Sequence, residues 1–208
     1  MMTMDIREAY RRALDQFGMY VHQVRADQWR LPTACADWDV RTLVEHLVGE
    51  SLWAPELLAG RSVGEVGDRL DGDLLGDDPV KAFDVAAAAA VRAMEPDDVL
   101  ARTVHLSFGD VPGEEYISEL FADTLIHTWD LATAIGGDGH LDPELVEVCT
   151  VWFAGAEDSY RQAGVIGDRP PLPDHADAQT RLLVAWGRGG RPEDEGAPEG
   201  PEQAPQGP

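Results

Sequence analysis

The sequence predicts an all-α protein, a four-helix bundle with additional short helices packed against it. Three observations predict this. Apolar residues recur at three- and four-residue steps over long segments, the one-sided stripe of an amphipathic helix. Several of those segments open on Asp or Asp-Pro, residues that cap a helix and start its first turn. Only one short stretch alternates with the period of two that a strand requires.

In chain order, Ile6, Tyr10, Ala13, Phe17, Tyr20 and Val24 draw the stripe of a long first helix, which the segment around Pro32 breaks. Asp39 is the expected N-cap of the second. Its inner face is Val40, Leu43, Val44, Leu47, Ser51, Ala54 and Leu58, and it should end near Gly60. The Gly- and Asp-rich run from Gly60 to Pro79 reads as a loop. Asp78-Pro79 opens a third helix, with an alanine run from Ala86 to Ala90, ending before Pro96. "ARTVHLSFGDVPG" is a short hairpin or an extended loop. A fourth helix should run from Pro112 or Gly113 to about Ile135, a fifth from Asp142-Pro143 to near Gly164, and a short one from Ala178 to Trp186. The end of the chain is Pro, Gly and acid with nothing apolar to bury. The organisation expected is a helical domain over 1–188 and a disordered acidic tail over 189–208.

The 208 residues carry 16 basic and 39 acidic side chains, a net charge of -23. A surface that acidic repels phosphate backbones and anionic lipids, so nucleic acid and membranes are not the expected partners. Lys81 is the only lysine, and that bias, with abundant Ala, Gly and Asp, suits a GC-rich genome. Cys35 and Cys149 form no CxxC pair and no disulfide framework. There is no apolar leader at the N-terminus and no run near the roughly 20 residues of a membrane span. The expectation is a cytoplasmic protein, either monomer or homodimer.

The chemistry concentrates in "FADTLIHTWDLATAIG". On a helix, Tyr116, Leu120, Asp123, His127, Leu131 and Ala134 share one stripe, while Ile117, Phe121, Leu125, Ile126 and Ile135 cover other faces. A helix apolar on most sides is central, and ionisable groups buried on it must be paired or coordinated. Asp123 and His127 either satisfy each other or hold a metal, as bundle cores do. The third ligand would come from another helix. His46 in "VRTLVEHLVGE" is the candidate, at the edge of the apolar face, on a stripe with Leu43, Glu50, Trp53 and Leu57. His22, His105, His140 and His175 have poorer settings. Asp130, one turn beyond His127, can accept its second ring N–H, or is a charge at a helix edge. Glu50, one turn after His46, is an acid/base candidate or part of a solvated face. Trp38, Trp53 and Trp129 wall the pocket or belong to the core. Cys35 has no His beside it in its segment and reads as a packed small residue.

"PTACADWDVRTLVEHLVGE", "FADTLIHTWDLATAIG" and "ADAQTRLLVAWGRGGRP" together resemble the DinB/YfiT-like superfamily. More closely, they are similar to actinobacterial proteins related to the N-terminal domain of mycothiol-dependent maleylpyruvate isomerase. The resemblance implies a four-helix bundle with one divalent metal. Carried over by position, His46 is the first ligand and His127 the last. Asp123 stands where many DinB-like proteins have His and the isomerase has Glu; being one methylene shorter than Glu, it would draw the metal towards its helix. The isomerase has a second, C-terminal domain for which this chain leaves no room. Zinc is the expected metal, and Fe(II) or Ni(II) suits the same donors.

Three protein ligands leave a coordination position open, the mark of a catalytic site. That position takes a thiolate, for which the resemblance implies mycothiol as cosubstrate and a small electrophile as substrate. Alternatively it takes water and supports hydrolysis. The resemblance favours a thiol-dependent transferase or isomerase. The competing class is a non-enzymatic metal or small-ligand binding or sensor protein.

Overall fold

The computed structural model describes residues 4–189. Its helices are α1 (Ile6–Val21), α2 (Val40–Leu58), α3 (Val63–Val66), α4 (Pro79–Ala93), α5 (Gly113–Ala134), α6 (Pro143–Gln162) and α7 (Ala178–Ala185). The capping logic of the sequence holds at atomic level. The side chains of Asp5, Asp39, Asp78, Asp142 and Asp177 each accept a backbone N–H of the first turn they cap. Two of these caps are followed by Pro at the first helical position, where its missing N–H costs nothing.

The bundle is α1, α2, α4 and α5. The first helix packs on α5 and α4, and α2 packs on α4 and α5. Against this bundle lie α6, which touches α5 and α1, and α7, which touches α6. The centre is α5, with Ile117, Phe121, Leu125, Ile126 and Leu131 all out of contact with water. Burial on nearly every side is what its all-round apolar sequence required.

Two segments gain detail in the structure. The segment read as a loop from Gly60 to Pro79 contains the one-turn helix α3, closed by a reciprocal capping box between Ser62 and Glu65. The ambiguous "ARTVHLSFGDVPG" resolves into a hairpin, β1 (Thr103–Leu106) and β2 (Gly109–Pro112), antiparallel with Thr103 opposite Pro112 and Leu106 opposite Gly109. The expected disordered tail, 189–208, lies outside the described residues from 190 onwards. Among the described residues, no helix is long and apolar enough to cross a membrane.

The hairpin joins α5 tightly. The Gly113 N–H donates to the Arg102 carbonyl at 2.7 Å, and a methyl group on Gly113 would run into the Val99 carbonyl oxygen. Alanine normally stabilises a helix by about 1 kcal/mol over glycine. Here Gly113→Ala is expected to do the reverse and cost about 1–3 kcal/mol, because the backbone of the preceding turn must move. Urea unfolding of the variant beside the parent measures the sign directly.

Candidate metal centre

The site forms where the start of α2 meets the second half of α5. The turn before α2 is held by Thr33, whose hydroxyl donates to the Trp38 carbonyl at 3.0 Å and accepts the Cys35 N–H at 3.1 Å. Asp37 takes a left-handed backbone at φ 66° to complete it. This turn places Cys35 and Trp38 against the site. The Trp38 ring lies over both imidazoles, with centroids 4.9 Å from His46 and 5.7 Å from His127.

The structure brings His46, Asp123 and His127 together. Each offers one donor atom, and the three atoms lie within 4.8 Å of one another. His46 Nε2 is 2.9 Å from Asp123 Oδ2, and His127 Nε2 is 3.3 Å from Asp123 Oδ1. The two imidazoles meet edge to face at 5.2 Å. A tetrahedral zinc with bonds of roughly 2.0–2.2 Å separates its donors by roughly 3.3–3.6 Å. The two imidazoles approach different oxygens of Asp123, one within and one below that range, so the donor set suits a divalent ion and the rings would part slightly to admit it. Without one, the carboxylate pairs with both rings.

The electrostatics follow. Burial pushes the Asp123 carboxyl up, but the His127 charge and the bonds from both rings outweigh it, holding Asp123 far below the usual carboxylate range. Burial disfavours charge on the imidazoles. Asp123 overcomes this for His46, whose pKa is raised, and Asp123 with Asp130 overcomes it for His127, raised well above the ordinary value.

The other nitrogen of His127 is equally committed. Its Nδ1 lies 2.9 Å from Asp130 Oδ2. Asp130 is wholly buried, so it is no charge at a helix edge. It is held in turn by Arg188, just past α7, which donates from Nε at 3.1 Å and from Nη2 at 2.6 Å. A two-pronged guanidinium on a carboxylate fixes position as well as charge. Burial pushes the Asp130 carboxyl up, and its bonds to His127 and Arg188 bring it below the ordinary value. A carboxylate can only accept, so His127 Nδ1–H donates to Asp130, which leaves Nε2 as the ring atom for a metal once the proton it shares with Asp123 has left.

Cys35 also belongs to this end of the site, which its isolation in sequence concealed. Its Sγ is 3.3 Å from Asp130 Oδ2, 3.7 Å from His127 Nδ1 and 3.5 Å from Arg188 Nη2. Cys35, His127 and Asp130 form a second set of potential ligands. The guanidinium already occupying Asp130 repels a cation there, so this set serves to orient His127. Neither Cys35 nor Arg188 was assigned a partner from the sequence, since 92 and 58 residues separate them from His127 and Asp130.

Glu50 sits one turn beyond His46, among Asp123, His46, His127 and Glu119, with no hydrogen bond or ion pair to any of the described residues. Burial, then the Asp123 charge, pushes its carboxyl up to about 7. Glu119, which sequence reasoning passed over, is pushed up to about 7 by burial and then by Glu115. It lies four residues before Asp123 on the same stripe, a signal that was available. Trp53 is half-buried against the core, and Trp129 packs beside Gly139. His22 pairs with Asp84 and His105 with Asp110, while His140 is exposed. Cys149 is sealed inside α6.

Residues 10–132 match the family described as the mycothiol maleylpyruvate isomerase N-terminal domain. Two relatives from Mycobacterium tuberculosis are described as the uncharacterized proteins Rv0738 (strain ATCC 25618 / H37Rv) and MT0763 (strain CDC 1551 / Oshkosh). Each is 34% identical over 191 residues, covering 89% of this chain and 98% of the relative. The crystal structure of mycothiol-dependent maleylpyruvate isomerase shares the fold with a TM-score of 0.55 at 14% identity. A mutant of the same isomerase gives 0.56 at 12%. Both alignments cover 71% of this chain and 68% of the other. The matched segment runs from α1 through most of α5 and contains His46, Asp123 and His127, and on it the chain belongs to the mycothiol maleylpyruvate isomerase N-terminal domain family.

Proposed function

We propose that this protein is a metal-dependent thiol enzyme, a mycothiol-type transferase or isomerase acting on a small electrophile. His46, Asp123 and His127 are its ligands and zinc is the first candidate metal. The observation that carries the reading is the division of the His127 ring. Nε2 faces Asp123 and His46, while Nδ1 is tied to a buried Asp130 that is itself tied to Arg188. A histidine that only neutralised Asp123 would need no second buried carboxylate to fix its tautomer, whereas metal-binding histidines almost always have one such partner. Family membership supports the thiol, since the family's description names mycothiol and the solved structure that shares the fold is described as mycothiol-dependent.

A divalent metal at this position supplies Lewis acidity that lowers the pKa of a thiol towards neutrality. The chain's own residues supply the rest. Glu50, with a carboxyl near neutrality at about 7, accepts the thiol proton and returns it to the product. Asp130 acts through His127 by holding Nδ1–H, and Arg188 holds Asp130. Both are therefore positioning residues. Trp38 packs against the two imidazoles.

Metal analysis and a thiol-dependence assay test this directly. The expected result is about one divalent ion per chain, with turnover of a small unsaturated carbonyl compound only when thiol is added. Metal bound without turnover, and only saturable association of the thiol, would make this a binding protein.

The protons of the site provide an independent check. Asp123 raises the pKa of both imidazoles in the metal-free protein, so protons compete with the metal for the ring lone pairs. Metal affinity should fall as pH falls. At pH 7, loading should release about one or more protons per ion. Calorimetric titrations in buffers of different ionisation enthalpy count them.

A further inference from the structure

The line of side chains that leads away from the metal ligands is acidic. On α5, Glu115, Glu119, Asp123 and His127 follow one another at four-residue steps, so they share a face one turn apart. On α2, which packs against α5, Glu50 follows His46 by one turn. The carboxyls therefore continue from the ligands in one direction along both helices. In the other direction lies the Asp130–Arg188 pair, whose only cation is already committed.

Neither Glu50 nor Glu119 has a hydrogen bond or ion pair among the described residues. The charge that bears on Glu119 is another carboxylate, Glu115, whose Oε2 accepts from Trp152 Nε1 at 3.3 Å. The tyrosines set near these acids, Tyr116 and Tyr160, are kept protonated by burial and by the same carboxylates. They offer O–H donors and no positive charge. Asp123, Glu50, Glu119 and Glu115 set four carboxyl groups along this face, against the single divalent ion that the ligands would hold. No lysine or arginine among these groups stands ready to pair with a substrate carboxylate.

We propose that the site selects its electrophile by charge, admitting neutral or cationic carbonyl compounds and rejecting dicarboxylates, through Glu50 and Glu119 with Glu115 behind them. The inference rests on the metal–thiol reading above. It sets this chain apart from the isomerase whose fold it shares, because maleylpyruvate is itself a dicarboxylate. A like charge brought beside these partly exposed carboxyls is disfavoured, and the effect weakens with salt.

The experiment uses the full chain loaded with Co2+, which reports thiolate binding by its charge-transfer absorption. Three para-substituted thiophenols serve as probes, bearing a trimethylammonium, a hydroxymethyl or a carboxylate group. The para position keeps the substituent from chelating the metal and carries its charge outward along the helices. After correction for each thiol's own ionisation, the cationic probe should bind tightest and the carboxylate weakest, at least roughly tenfold apart at low salt. Glu119→Gln combined with Glu115→Gln should compress that spread and leave cobalt bound. Equal affinities, a tighter carboxylate, or a spread that the double substitution leaves intact would overturn the inference. A chain that binds no cobalt, or gives no thiolate band with the neutral probe, would overturn the function proposed above and this inference with it.

Discussion

Replacing His127 with alanine should abolish stable metal binding while leaving the helices in place. The substitution removes one of three protein donors, and two remaining donors rarely hold a divalent ion against a chelator. Bound metal measured by atomic emission after dialysis should fall to near background. The apolar residues that build α5 are untouched, so the circular dichroism spectrum should be that of the parent. Asp130 keeps Arg188 as a partner after the ring is gone, which limits the loss of stability. Equal metal content in parent and variant would sink the site as drawn and leave Asp123, His46 and His127 as a self-satisfied buried cluster.

Asp130→Ala should have the opposite profile, a modest loss of metal and a large loss of stability. All three donors remain, but the His127 ring loses the acceptor that fixes its orientation, and affinity should drop by roughly 10–100-fold. The larger effect comes from Arg188. Its guanidinium is mostly buried, and Asp130 is the carboxylate it pairs with among the described residues. Removing one partner of a buried ion pair typically costs about 3–5 kcal/mol, because the charge left behind is uncompensated. For a chain of this size that corresponds to a fall in melting temperature of roughly 6–20 °C. Adding Arg188→Met should recover much of the loss, since the uncompensated charge is then gone and the aliphatic volume is kept. The double variant should still show the weakened metal affinity. A loss under about 1 kcal/mol in Asp130→Ala would mean that the Asp130–Arg188 pair is not maintained in solution.

The two substitutions divide along the line between what is local and what is not. The sequence by itself determined the helices and their starts. An Asp side chain reaches the N–H groups of the turn it caps, and Asp39, Asp78 and Asp142 are written next to the turns they serve. It also determined that Asp123 and His127 share a face, because a four-residue step is one helical turn wherever the helix goes. That α5 lies at the centre followed from apolar residues on most of its sides. Even α3 had a local signature in Ser62 and Glu65, spaced as a capping box, though it lies outside the apolar periodicity that guided the reading.

The tertiary structure alone decided what faces that line. His46 meets Asp123 from 77 residues away, and Cys35 and Arg188 close on Asp130 from 95 and 58 residues away on opposite sides in the sequence. No period of the chain encodes those distances. They depend on how α2 is rotated against α5 and on where the turn before α2 and the end of α7 come to rest, which is set by the packing of side chains across the core. A buried charge needs a partner, and the sequence can state that need for Asp123, His127 and Asp130. Which residue meets it is fixed only when the helices pack and water leaves.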